Sequence, residues 1–260
     1  MKKAFLTLIS LCSIAIADTT VITFNSANNA TLKTEHPFIT DALSVHNVKN
    51  PTYTLSNGDT LSLATGSSIT YASATNGTVE GQWANTAAIT QINSDLGLTG
   101  GFTAADLSTG SGFYYTATGG ANSKSTLTLT LNSAKVGDSI TLYVTTASRD
   151  SHIKGFSITG ITADSITLSY AGLNGNGFNT VSGNSVTYKS SLNNNWSTGT
   201  ESVMIFKITG TLESTTLVMA QGATAKNGWQ TLSYSVIPEP TTATLSLLAL
   251  AGLAARRRRR

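Results

Sequence analysis

The feature that most constrains the fold of this chain is an alternation. In Ser125–Leu131, STLTLTL, leucine fills 127, 129 and 131 while threonine fills 126, 128 and 130. A period of two puts one set on each face of an extended strand, so the segment reads as a half-buried β-strand. SITLYVTT at Ser139–Thr146 alternates in the same way, and NSAKVGD between the two predicts a hairpin. Ten further stretches carry strand signals: 21–24, 60–64, 69–72, 112–117, 154–158, 165–170, 185–189, 203–209, 215–220 and 230–236. Asn57-Gly58 within SNGDT is a turn signal. Many short strands with turns between them predict an all-β, antiparallel β-sandwich.

Helical signals are few. Asn85 or Thr86 can cap a helix whose apolar stripe is Ala88, Ile89, Ile92 and Leu96, ending before Gly97. A second short turn is expected at Thr103–Leu107. One or two helices inserted among strands are compatible with a jelly roll.

Both ends differ from this body. Residues 1–17 read as a secretory signal helix: Lys2 and Lys3 are charged, Ala4–Ile14 is apolar, and Ala15-Ile16-Ala17 gives an A-x-A cleavage pattern. The mature chain is expected to start at Asp18. The single cysteine, Cys12, lies inside this segment, so the mature chain would carry no disulfide and no thiolate metal site. The charge balance follows the same division. Residues 18–255 hold nine basic and 13 acidic side chains, a net −4, so the overall excess of positive charge belongs to the ends. Nothing in the body suggests a nucleic-acid partner.

At the other end, Leu245–Ala255 is apolar except for Ser246 and Gly252, and five arginines follow, Arg256, Arg257, Arg258, Arg259 and Arg260. Extended back to Thr241, the stretch makes about 22 Å of helix at 1.5 Å per residue, against the roughly 30 Å of a bilayer core. A short transmembrane helix that holds weakly is the expectation. Its arginines fix the cytoplasmic end. Just before it, Pro238, Glu239 and Pro240 can neither continue a strand nor sit inside a helix, which leaves an extended, exposed segment.

Pro238-Glu239-Pro240, the short apolar helix and the arginine cluster resemble the PEP-CTERM sorting signal of Gram-negative bacteria, with Ile237 where that family usually has Val. The resemblance covers the last 24 residues, 237–260. It implies processing near the triplet by an exosortase, a membrane cysteine protease. The chain would be that enzyme's substrate, passing through the secretion machinery, tethered briefly in the inner membrane, and then released to the cell surface, outer membrane or medium. The stretch TLTLNSAKVGDSITLYVTTASRDSHIKGFSITG, with the strands that follow it to residue 236, is similar in pattern to bacterial galactose-binding-like jelly rolls. The expected organisation is a signal peptide at 1–17, a jelly-roll body at 18–236 and a sorting signal at 237–260.

The body offers few chemical motifs. Exported sandwiches often contact sugars by stacking an aromatic ring on the pyranose. Trp196, in the polar run NNNWSTG, and Trp229, at the edge of the last strand, are the candidate ligand contacts; Trp83 reads as core. Glu35, His36, Asp41 and His46 lie close in sequence but match no zinc spacing. Asp150-Ser151-His152 lacks a G-x-S-x-G elbow and reads as a surface loop. Glycoside hydrolysis needs two carboxylates facing across a cleft, and Glu80, Glu201 and Glu213 form no acid-rich motif. No catalytic residue, metal ligand or cofactor is assigned; structural calcium, common in such domains through loop Asp, Asn and carbonyl oxygens, stays open but unplaced, since no D-x-D-x-D-G loop occurs. Threonine rows such as 126, 128 and 130 can bind ice only when repeated on stacked strands, and no fixed-period repeat occurs. The sequence therefore predicts a non-catalytic, exported structural or carbohydrate-contacting protein, with a secreted glycan-active hydrolase as the alternative.

Overall fold

A computed structural model describes residues 19–25, 38–44, 50–65, 69–72, 93–94, 113–117, 123–148, 153–171, 179–189, 202–223 and 227–239. Fifteen strands are present: β1 Thr19–Asn25, β2 Asp41–Ser44, β3 Thr52–Thr54, β4 Thr60–Thr65, β5 Ile69–Ala72, β6 Phe113–Ala117, β7 Ser123–Thr130, β8 Ser139–Ser148, β9 Ile153–Thr159, β10 Ile161–Ala171, β11 Asn179–Ser182, β12 Ser185–Lys189, β13 Ser202–Leu212, β14 Thr216–Ala223 and β15 Asn227–Ile237. They form two sheets. One has the order β10-β13-β8-β15-β1-β2, with β6 also on β15 and β5 on β6; the other has the order β11-β12-β9-β14-β7-β4-β3.

All twelve strands read from the alternation are present. β2, β3 and β11 are additional, three or four residues long and without a clear apolar period. Pairing is antiparallel except between β1 and β2, which run parallel. The expected helix at 85–97 falls largely outside the described residues, where only Asn93 and Ser94 are helical. The turn at 103–107, the signal segment 1–17 and the apolar tail segment 241–255 also lie outside them. Among the described residues, no helix is long and apolar enough to cross a membrane.

The leucines that the alternation places inward do line the core. In register across one sheet, Leu61, Leu129 and Leu217 form one row, and Leu63, Leu127, Met219 and Ile158 the next. All are at most 1% exposed, and burying each such side chain contributes about 1.5–3 kcal/mol. The facing sheet supplies Ile22, Phe24, Leu142, Val144 and Leu232 to the same cluster. Phe156 of β9 stacks on Phe206 of β13 at 4.3 Å between centroids, and Tyr188 of β12 meets Phe206 edge-on at 5.4 Å. These rings tie the two sheets of the sandwich together.

The predicted hairpin at NSAKVGD is not one. β7 pairs with β4 and β14, whereas β8 pairs with β13 and β15 in the opposite sheet. Residues 131–138 cross from sheet to sheet, a gap of about 10 Å. Alternation marks a buried face and is blind to which sheet owns it. From β7 onward successive strands change sheets at every step except β11–β12. The link from β9 to β10 is the single residue Gly160, with φ +86°. A Cβ there would stand 2.3 Å from the Thr216 carbonyl oxygen, so only glycine fits the crossing.

Candidate functional site

The last strand leaves the sandwich beside a cleft among the described residues. β15 pairs with β8 as far as Ile237 opposite Ser139, so residues 237–239 run on alongside 137–139. Pro238 and Glu239 are exposed, and the Glu239 amide donates to Asp138 Oδ1 at 3.1 Å. Pro240 and the five terminal arginines lie outside the described residues. Of the expected Pro-Glu-Pro triplet, the structure describes Pro238 and Glu239, both exposed. Ala15 and Ala17 of the cleavage pattern also lie outside.

Asp138 is 6% exposed and is fixed by its own turn. Its Oδ2 accepts from the Lys135 amide at 2.8 Å, its amide donates to the Lys135 carbonyl at 3.1 Å, and its carbonyl accepts from the Leu212 amide at 2.9 Å. The cleft beside it has a volume of about 370 Å³ and is lined by Thr20, Asn57, Asp59, Leu131, Ser133, Ala134, Asp138, Tyr234, Val236 and Pro238.

The cleft floor grows out of the Asn57-Gly58 turn between β3 and β4. Gly58 has φ +88°, its amide donates to the Leu55 carbonyl at 2.9 Å, and Asn57 Oδ1 accepts from the Asp59 amide at 3.0 Å. Those bonds deliver Asp59 inward, where a buried carboxylate needs its lone pairs met. Oδ1 accepts from the Asn132 amide at 2.8 Å. Oδ2 accepts from Asn57 Nδ2 at 2.8 Å and from the Tyr234 hydroxyl at 2.5 Å. Asn57 Nδ2 also reaches Tyr234 Oη and Thr20 Oγ1, each at 3.0 Å. Burial, then the bond to Asp59, pushes the Tyr234 hydroxyl well above its usual value near 10. Both carboxylates of the cleft thus have both oxygens engaged in hydrogen bonds that hold the fold.

Trp229 is corrected by the structure. It is 0% exposed and belongs to the core cluster, so it offers no ring face to a ligand. The reason is a β-bulge. Thr231 pairs with Thr145 but Trp229 pairs with Thr146, leaving Gln230 as an extra residue. Uninterrupted alternation from Leu232 and Tyr234 would turn Trp229 outward; the extra residue turns it in. Thr145 Oγ1 secures the bulge, accepting from the Thr231 amide at 3.0 Å and bonding Thr231 Oγ1 at 2.6 Å.

Trp196 and Trp83 lie outside the described residues, as do Glu35, His36, His46, Asp150, Ser151, His152, Glu80 and Glu201. Asp41 is 8% exposed, and its Oδ1 accepts from the Ser56 amide at 3.0 Å and hydroxyl at 2.7 Å. Glu213 Oε1 accepts from the Thr162 hydroxyl. Among the described residues, no group of three or more His, Cys, Asp or Glu side chains is arranged to hold a metal ion. The threonine row of β7 does recur on neighbouring strands, although no sequence repeat announces it. Thr54, Thr60, Thr130 and Thr216 align across four strands. The next row runs Thr52, Ser62, Thr128, Val218, and Thr126 lies between Ala64 and Ala220, so the hydroxyl array breaks on both sides of β7.

No protein-family model matches the chain, and no curated protein matches it. Among solved structures it is similar to the enzymatically active domain of bacteriophage CBA120 tailspike protein 4, at 10% identity and a TM-score of 0.32 over 82% of this chain. This chain spans 21% of that one.

Proposed function

We propose that this is an exported, non-catalytic jelly-roll protein. Its tail is a PEP-CTERM signal, processed by an exosortase after transit of the inner membrane, and the mature protein acts at the cell surface, the outer membrane or outside the cell. The observation that carries the reading is the position of the triplet. β15 is a central strand of its sheet, yet at Ile237 the chain leaves it, and Pro238 and Glu239 are exposed. A protease needs that arrangement: a stable body followed at once by an extended segment outside it. The alternation of strands between sheets from β7 to β15 supports the jelly roll.

A structural or carbohydrate-contacting role for the body is supported by the engagement of Asp59 and Asp138 in hydrogen bonds that hold turns. β12 ends at Lys189 and β13 starts at Ser202, both at the end of the sandwich away from Glu239.

The test is to express the full chain in an exosortase-bearing cell and to follow its size and location. Glu239→Ala is expected to leave the tail attached and the protein in the inner membrane. Processing identical to the unaltered chain would overturn the sorting assignment. A glycan array of the released protein, with product release measured in parallel, separates the two readings of the body: binding without turnover supports contact, and turnover supports the hydrolase.

A further inference from the structure

We propose that Asp138 is a positioning residue for tail processing: the body holds the sorting triplet by its one backbone donor, and the protease reads the triplet on that support. This rests on the reading of Pro238-Glu239-Pro240 as a sorting signal. Proline has no backbone N–H, so within the triplet only Glu239 can donate from the main chain. Proteins that capture extended peptides commonly do so by adding them to a sheet through such donors. Here the donor is already taken, by Asp138 Oδ1 at 3.1 Å. The acceptor is pre-organised, because the Lys135 amide and carbonyl and the Leu212 amide hold Asp138 in place. A fixed acceptor costs little ordering entropy when it binds.

The contact also sets where the Glu239 side chain lies. Its carboxylate sits over Gly137: a Cβ built there would be 3.3 Å from Oε2. Gly137 has φ +98°, and its amide is tied to the Leu212 carbonyl at 2.9 Å. The residues 135–138 thus form a seat for Glu239, with its backbone held and its carboxylate exposed at the surface. The processing protease is left to recognise the triplet by the Glu239 carboxylate and the proline rings, and strand addition through Glu239 is closed to it.

The test uses the full chain. In detergent, the segment 237–240 has exchangeable backbone amides only at Ile237 and Glu239, so hydrogen exchange read by mass spectrometry reports the contact almost directly. Asp138→Ala is expected to speed exchange there by about tenfold or more, the scale of one hydrogen bond to a charged group. In exosortase-bearing cells the same variant is expected to slow tail removal while the body remains folded by circular dichroism. Should Asp138→Ala not fold, Asp138→Asn replaces it, since one carboxamide oxygen can still serve the Lys135 amide. Unchanged exchange would overturn the contact. Faster exchange with unchanged processing would overturn its role. Glu239→Ala is run alongside: if its tail is removed normally, the sorting reading fails, whereas blocked Glu239→Ala with normally processed Asp138→Ala fails the present proposal alone.

Discussion

Tyr234 shows how much one side chain can join. Its hydroxyl closes a buried network of Asp59, Asn57 and Thr20 that links the first strand, the β3–β4 turn and the last strand. Because the folded state raises its pKa, the neutral hydroxyl is the form the fold favours. That contribution is complete below the unfolded value near 10, and it is lost as pH rises through the higher folded value. Urea denaturation across pH should therefore show a midpoint that falls above about pH 10. Tyr234→Phe is expected to flatten that fall and to cost about 1–3 kcal/mol at neutral pH, since Asp59 and Asn57 lose a partner. Asp59 was not legible as a site residue. An acid beside an Asn-Gly turn predicts only the turn, and its inward aim depends on Asn132 and Tyr234, which lie 73 and 175 residues away.

At the scale of elements, β15 sets both the core and the exit of the tail. Its bulge reverses the phase of alternation, so Trp229 and Leu232 both face inward although three residues apart. Deleting Gln230 leaves Trp229 two residues from Leu232, so uninterrupted alternation keeps the indole inside without the bulge. Gln230→Ala keeps the residue count and should likewise leave Trp229 inside, so both variants are expected to keep buried tryptophan emission, and their thermal melts separate the bulge from the side chain. The strands themselves were readable because leucine alternates with threonine across a sheet with one buried face. β2, β3 and β11 were not, since three or four residues hold too little pattern. The hairpin reading of 131–138 failed for a related reason: a turn signal shows where the chain bends, and the pairing partners decide where it goes.

On the scale of the whole molecule, the first and last strands are neighbours. β1 pairs with β15 from Thr19 opposite Ser235 to Thr23 opposite Thr231, and β15 in turn pairs with β8. That sheet cannot close until the end of the body is present, and such long-range pairing is slow to form. A chain ending before Asn227 is expected to stay sensitive to proteolysis and to lack a near-ultraviolet circular dichroism signal, whereas one ending at Glu239 should show both resistance and signal. The same topology brings Glu239 against Gly137 and Asp138.

The sequence by itself determined the all-β class and nearly every longer strand, because period-two burial is local and each stretch carries its own record of it. It also determined that the last strand stops at Pro238, since proline's ring and missing N–H act wherever it stands. The tertiary structure alone decided which sheet owns each strand, that Trp229 is core, and that Asp59 and Asp138 meet partners from distant parts of the chain. Those outcomes depend on register and on one inserted residue. A local pattern does not encode them, because alternation is unchanged when a strand moves to the opposite sheet and inverts when a bulge adds a single residue.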